Sequence, residues 1–552
     1  MESETYSSLF KSVKKDKKAA IIRILPLKYD DVNDEIEMVK FHQETRHMAG
    51  PSWDEPLPYG FINDVWHELY INNIKVPVYS TRCGFGIHSF ACVDIEADGE
   101  FQLDVEVAIL EGHYKKSLVL PHNKNVTSTI KNDVVKFTIN EFGDYSLCLG
   151  NEEIGPDKAL TIYICPHRKI DEVEGYKKIV IKPSDYAKIP TKTMYFEEKR
   201  TLYYFQKGHY KVNSICIPDE AIFYFENGCY FEFFEEDNKP CFCNSGSSMT
   251  ILGHLLLDFS HIMGGYKKKK SVYVFNDLKK GYIEGQLCIN SHSWTMCFNN
   301  CDNIEVAHNM LFGYRTFSDG IMLAGCTNCL VHHNFVRTGD DAIEAKATSS
   351  RVVESNNLIY EYNSVWTDKA NAYGVTYESN APITDIYFRH NSVGFSQSSW
   401  AHHLGCFTVH RGTVYQNIWR NIYFEDSEVY YSNNPLITIY NSTVNIYDYG
   451  DPEAKLYGGF IEDIYFKNLS IERQEIKDLP IDYSVNIEYR ANPKHPEYLS
   501  HLKLGNIYLD NINYLGTLIT KENLLKTAFI SVPEGIGWTL DDIKINTRGG
   551  KY

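Results

Sequence analysis

A nine-residue stretch returns one short interval along the chain with five of its residues identical. Cys301-Asp302-Asn303-Ile304-Glu305-Val306-Ala307-His308-Asn309 reappears 25 residues later as Cys326-Thr327-Asn328-Cys329-Leu330-Val331-His332-His333-Asn334. A period in the twenties, carried by short β-like runs, marks a solenoid. In a parallel β-solenoid each coil stacks on the last at roughly 4.8 Å, so residues one period apart become neighbours on one face.

This stacking gives meaning to three acids. Asp319, in Ser318-Asp319-Gly320, lies 21 residues before Asp340 in Gly339-Asp340-Asp341. Gly320-Ile321-Met322-Leu323 and Ala342-Ile343-Glu344-Ala345 read as equivalent strands, which puts Asp319 one coil below the acid pair. Adjacent strand residues point to opposite faces, so both members of the pair reach one cleft only where the strand bends. Gly339 is expected to permit that bend. Aspartate beside glycine is common in turns for backbone reasons alone. Three acids within one coil period are different, because stacking them brings like charges together at an electrostatic cost. That cost favours a functional cluster.

The later coils repeat one theme. Asp385-Ile386-Tyr387-Phe388, Asn421-Ile422-Tyr423-Phe424, Asp463-Ile464-Tyr465-Phe466 and Asn506-Ile507-Tyr508-Leu509 are spaced by 36, 42 and 43 residues. These intervals exceed one plain coil, so insertions bulge from it, and in solenoids they gather on one face and shape binding clefts. The Asn or Asp at each coil start is read as structural, capping a turn or forming a ladder. Upstream, short alternating strands run from about Ala19 to Lys169, among them 68–71, 76–79, 101–105, 135–139 and 161–164, with no long helical periodicity. The expectation is an all-β chain: a β-sandwich module over 1–190 and a parallel β-helix over 191–552.

At 552 residues, two domains are the default unless a solenoid takes up the length. No run approaches about 20 apolar residues, so no membrane span is expected. Met1-Glu2-Ser3-Glu4 and the lysines from Lys11 to Lys18 supply no apolar leader core, which points to a cytoplasmic location unless a leader has been removed. The 14 scattered cysteines fit buried thiols in a reducing compartment. Cys326 and Cys329 lack a second pair at zinc-ribbon spacing and read as part of a thiol ladder, so no metal and no cofactor are expected. A formal charge of −17 opposes nucleic acid and polyanionic glycans and favours a neutral partner. Lys267-Lys268-Lys269-Lys270 reads as a solvated loop. The sequence leaves the oligomeric state open.

Taken with its neighbours, the acid tract resembles the right-handed parallel β-helix glycoside hydrolases, the superfamily of polygalacturonases, dextranases and isopullulanases. The residues that carry this are Ser291-His292-Ser293-Trp294-Thr295, Ser318-Asp319-Gly320-Ile321 and Arg337-Thr338-Gly339-Asp340-Asp341-Ala342-Ile343-Glu344-Ala345-Lys346. The likeness extends as architecture from about Thr193 to the C-terminus, and as motif over Ser291 to Lys346. It implies hydrolysis of an α-glycosidic bond with inversion, Asp340 acting as general acid while Asp319 and Asp341 hold the attacking water. Such chemistry needs one protonated and one ionised carboxyl, and clustered aspartates supply both because repulsion raises one pKa while another stays low.

Departures narrow the substrate. The polygalacturonase Asn-Thr-Asp is Phe317-Ser318-Asp319 here, the region of its Gly-His-Gly is Asn371-Ala372-Tyr373-Gly374, and its Arg-x-Lys is missing near Phe407-Thr408-Val409-His410-Arg411. The pattern sits nearer the dextranase type, which relies on three aspartates, and a neutral oligo- or polysaccharide is implied. Trp294 is a candidate sugar platform, Lys346 a candidate hydroxyl ligand, and His402, His403, His410 and Arg411 fall in coils above the cleft. The competing classes are a polysaccharide lyase, which would need a basic residue or calcium, and a non-catalytic glycan-binding β-helix.

Overall fold

The computed structural model describes residues 21–24 and 60–547, with interruptions of which the longest are 187–192, 265–269, 348–352, 398–403, 412–416, 443–458, 476–482 and 491–499. Two sheets come first. One runs Ile74–Val76, His67–Ile71, Leu103–Ile109, Val134–Ile139 and Thr129–Lys131, all antiparallel. The other contains Phe61–Asn63, Tyr79–Cys83, Gly86–Glu96, Leu160–Pro166, Gly143–Gly150 and Lys116–Leu120, with Ile21–Ile24 beside Gly86–Glu96. In Leu103–Ile109 every second side chain is buried, because Leu103, Val105 and Val107 face the other sheet across a core shared with Ala91, Val93, Leu147 and Ile162. The sequence expectation of one strand over 76–79 is corrected: the chain leaves one sheet at Val76 and joins the other at Tyr79, and Pro77, which has no N–H to donate, sits at the break.

Gly143–Gly150 is buried at every position and Gly86–Glu96 at all but its ends, which a sheet with one wet face does not produce. The outer face is covered by the solenoid. Phe90, Cys92, Tyr163 and Cys165 pack against Leu256, Leu287, Met310, Phe312, Phe335 and Trp366 in one apolar cluster.

From Lys177–Ile181 onward the strands belong to the solenoid. Sheet membership therefore changes between Pro166 and Lys177, ahead of the boundary at residue 190 expected from sequence. A typical coil carries three strands, as in Ile304–Ala307, Met310–Gly313 and Ile321–Ala324, followed by Thr327–His332, Phe335–Thr338 and Ile343–Lys346. Corresponding strands pair in parallel from coil to coil, which makes a parallel β-helix with three faces, called here first, second and third in chain order. Its interior is a continuous apolar column that includes Val306, Leu311, Ile321, Leu323, Ile343 and Val375.

The sequence repeats are the stacking registers. Val306 lies opposite Val331, and Ile386, Ile422, Ile464 and Ile507 form one row. The tyrosines that follow them, Tyr387, Tyr423, Tyr465 and Tyr508, stack at 4.8, 4.5 and 4.4 Å between ring centres. Coil-start Asp385, Asn421 and Asp463 have φ of 58°, 54° and 55°, a left-handed conformation that Asn and Asp tolerate best among residues with a Cβ. A buried ladder joins Asn309, Asn334, Asn363 and Asn391, each Nδ2 donating to the next Oδ1 at 2.9, 2.9 and 3.2 Å. The ladder satisfies amides that would otherwise be buried without partners. Lys270 departs from the solvated loop expected for it: it is buried, and Nζ donates to Asn213 O and Oδ1, both at 2.8 Å, while 267–269 lie outside the described residues.

Candidate active site

The second-face strand Phe335–Thr338 ends where the third-face strand Ile343–Lys346 has yet to begin, and Asp340 and Asp341 occupy the corner between them. Neither acid is inside a strand, so the alternation of strand side chains does not separate them. Gly339 serves this corner differently from the expectation. Its backbone is not left-handed; a Cβ there would stand 2.7 Å from Tyr314 O, so the residue is small because the coil below passes close.

Backbone hydrogen bonds set the column. Thr295 N–H donates to Asp319 O at 2.8 Å, Gly320 N–H to Asp341 O at 2.9 Å and Ala342 N–H to Asn371 O at 3.0 Å. Trp294, Asp319, Asp341 and Asn371 thus occupy successive levels at one corner of the helix. Gly320 permits the close stacking, since a Cβ there would be 2.2 Å from Ala342 O.

Each acid is held differently. Asp340 is partly exposed; its Oδ2 accepts from Phe317 N–H at 3.1 Å and its Oδ1 from Asp341 N–H at 3.0 Å. Asp341 is buried, and its Oδ1 accepts both the backbone and side-chain N–H of Asn371, at 2.9 and 2.8 Å. Asn371 is fixed in turn by Gly405 N–H and the Thr408 hydroxyl, both 3.0 Å from its Oδ1. Asp319 is only 4% exposed, yet its Oδ1 has no hydrogen-bond partner among the described residues. A buried carboxyl oxygen left open in a polar corner is a position for a water or a substrate hydroxyl.

A fourth acid completes the cluster. Glu344 is fully buried, takes a short hydrogen bond from the Thr376 hydroxyl and lies 3.0 Å from Lys346 Nζ. Lys346 Nζ is 3.8 Å from Asp319 Oδ2 and 5.4 Å from the centre of the Trp294 ring, so one ammonium faces two acids and an aromatic face. Carboxylate oxygens of Asp319, Asp341 and Glu344 lie within 4.8 Å of one another. That is the donor set of a divalent-cation site, with the Lys346 ammonium already standing beside it.

The electrostatics follow. Burial pushes the Asp319 carboxyl well above the usual range, reinforced by Asp340 and Glu344, with Lys346 opposing. Burial and then the neighbouring Asp341 raise Asp340 to about 6, again against Lys346. Asp319 is thus held towards its protonated form. Protons in so tight a cluster belong to the group as a whole.

Behind the corner, Arg337 and Asp368 form a buried two-pronged ion pair at 3.2 and 3.1 Å. The N-terminal sheets reach this pair: His88 Nδ1 is 2.8 Å from Arg337 Nη1, and Gly84 N–H donates to Asp368 Oδ2 at 2.6 Å. The module therefore braces the strand that leads directly into Gly339-Asp340-Asp341.

The sequence-derived ligands fare unequally. Trp294 and Lys346 sit at the acid cluster. His410 shares a third-face row with Thr376, but it is buried, its ring centre 3.8 Å from that of Tyr377 and 4.6 Å from that of Tyr440. The Arg411 guanidinium is buried and donates to Asn417 O and Oδ1 at 2.8 and 2.6 Å, over the Trp419 ring. His402 and His403 lie outside the described residues. Glu344 and Asn371 are the residues that sequence reasoning passed over.

No protein-family model matches the chain, and no curated protein matches it in sequence. Among solved structures, Dex49A from Penicillium minioluteum superposes with a TM-score of 0.56 at 11% identity, covering 90% of this chain and 97% of that one. The exopolygalacturonase from Thermotoga maritima superposes at 0.43 with 13% identity, over 62% of this chain and 93% of that one. The polygalacturonase from Erwinia carotovora also gives 0.43, at 10% identity over 69% and 99%. The chain therefore shares the parallel β-helix fold of Dex49A, and the likeness extends over the N-terminal sheets as well as the helix.

Proposed function

We propose that this protein is a glycoside hydrolase that cleaves an α-glycosidic bond in a neutral oligo- or polysaccharide by a single, inverting displacement. The observation that carries the reading is the convergence of Asp319, Asp340, Asp341 and Glu344 around one lysine, with Asp340 partly exposed and raised to about 6. A carboxyl of that kind is protonated at mildly acidic pH and within reach of a leaving oxygen, which suits a general acid. Asp341, immobilised by Asn371, holds the attacking water as base, and the open Oδ1 of Asp319 gives that water a second partner. Trp294 offers a ring to a sugar face.

Neutrality of the substrate is supported by charge. Lys346 is engaged by Glu344 and Asp319, and the chain carries −17 overall, so a uronate would enter a negative corner.

Release of reducing ends from α-glucans, α-galactosides and pectic polymers tests the reading, with Asp340→Asn, Asp319→Asn and Asp341→Asn in parallel. Activity on a neutral polymer that falls by about 10² or more in each variant is expected. Near-wild-type rates in all three would sink the assignment, and an unsaturated product absorbing in the ultraviolet would favour a lyase.

A further inference from the structure

Another corner of the same coils gathers three imidazoles. Ala307 is in register with His332, which sets His308 and His333 at equivalent places one coil apart. Their rings stack at 5.1 Å, and the stack continues through Tyr362 and His390 at 5.2 and 5.0 Å. All four residues turn the chain with φ between 53° and 56°. A ring ladder accounts for His308 and His333.

It does not account for His332. That ring stands at 86° to His333, with its Nδ1 2.8 Å from His333 Nδ1 and its Nε2 3.1 Å from Glu305 Oε1. A carboxylate only accepts, so His332 carries its proton on Nε2 and aims the Nδ1 lone pair at His333. His308 Nδ1 is buried and has no hydrogen-bond partner among the described residues. One nitrogen from each ring falls within a set spanning at most 4.8 Å.

We propose that His308, His332 and His333 bind one divalent transition-metal ion, of the zinc or nickel class, with Glu305 orienting His332. Imidazole ligands suit these ions, and a carboxylate on the far nitrogen is the usual support for a ligating histidine. Tetrahedral zinc with Zn–N bonds of about 2.0–2.1 Å needs nitrogens about 3.4 Å apart, against 2.8 Å for the His332–His333 pair and at most 4.8 Å across the set, so modest ring rotations suffice. On binding, the His333 proton moves from Nδ1 to Nε2, which frees the Nδ1 lone pair, and water takes the fourth position. The ion would join two successive coils beside the N-terminal sheets, whose Tyr163 hydroxyl bonds to His333 O.

The test uses the full chain, stripped with a chelator, dialysed and titrated with zinc alone by calorimetry, with copper(II) spin resonance reporting nitrogen ligands. One equivalent with a raised melting temperature is expected. His332→Gln, which keeps the ring ladder, should abolish binding, and Glu305→Gln should weaken it by about 10–100-fold. Unchanged stoichiometric binding in His332→Gln, or no binding above that of non-specific sites, would overturn the proposal. Binding lost in Glu344→Gln but kept in His332→Gln would place the ion at the acid cluster and overturn it equally.

Discussion

Replacing Asp340 by Asn should change stability in opposite directions at low and high pH while removing turnover throughout. Burial and Asp341 raise this carboxyl from 3.8 to about 6. Between those values the folded chain holds a proton that the unfolded chain has released, so stability falls as pH rises through that window. A shift of roughly two units, at about 1.4 kcal/mol each, is about 3 kcal/mol of destabilisation above pH 7. Partial exposure of Asp340 and solvent screening reduce this to about 2 kcal/mol. Against it stands a hydrogen bond. The carboxylate serves two N–H groups, those of Phe317 and Asp341, and an asparagine has one oxygen to offer, a loss of about 1 kcal/mol. Asp340→Asn is therefore expected to be about 1 kcal/mol more stable than the wild type at pH 8 and about 1 kcal/mol less stable at pH 4. Urea denaturation midpoints at the two pH values, beside rates of reducing-end release, measure both effects. An offset of the same sign and size at both pH values would refute the electrostatic argument even if activity were lost.

Lys346→Met removes the ammonium beside Glu344 and Asp319, and breaking a buried pair of this kind should cost about 3–5 kcal/mol. The same change should move the Asp340 limb of the pH–rate profile upward, since Lys346 holds that carboxyl down. Asn371→Ala frees the anchored oxygen of Asp341 and should lower kcat by about 10²-fold with KM little altered, because misplacement of about 1 Å suffices for such a loss. A chelator should leave the rate unchanged while lowering the melting temperature if the histidine site is loaded; loss of activity restored by calcium would point to a lyase. Proton NMR of early turnover on an α-linked substrate should show the β-anomer first, and initial α-anomer would exclude single displacement.

The fold was legible because a solenoid writes its stacking into the sequence at a fixed interval. The interval between Asn309 and Asn334 is one rung of a hydrogen-bonded ladder, and the spaced Ile-Tyr-Phe theme is one row of stacked rings. What periodicity lacks is any record of what covers a strand from outside. Gly86–Glu96 and Gly143–Gly150 are buried on both faces by the docking of two modules, a contact between residues far apart in sequence. For the same reason Lys270 looked solvated: nothing nearby in the chain names Asn213 and Ser214 as its acceptors.

The site divides along the same line. Asp319, Asp340 and Asp341 stood out because the coil period brings their charges together. Glu344 did not, because Ile343-Glu344-Ala345-Lys346 has the alternation of any strand with one polar face, and only burial reveals that this face is closed. Yet Glu344 alters how the whole cluster reads. With three acids, Lys346 would face Asp319 alone, 3.8 Å away; with four, its Nζ also lies 3.0 Å from Glu344, and the ammonium is already engaged by a buried carboxylate. A second anion arriving there would meet buried carboxylates and be repelled by them. The proposal of a neutral substrate thus rests on Glu344, to which the sequence assigned no role, more firmly than on the uronate-binding motifs that the sequence lacks.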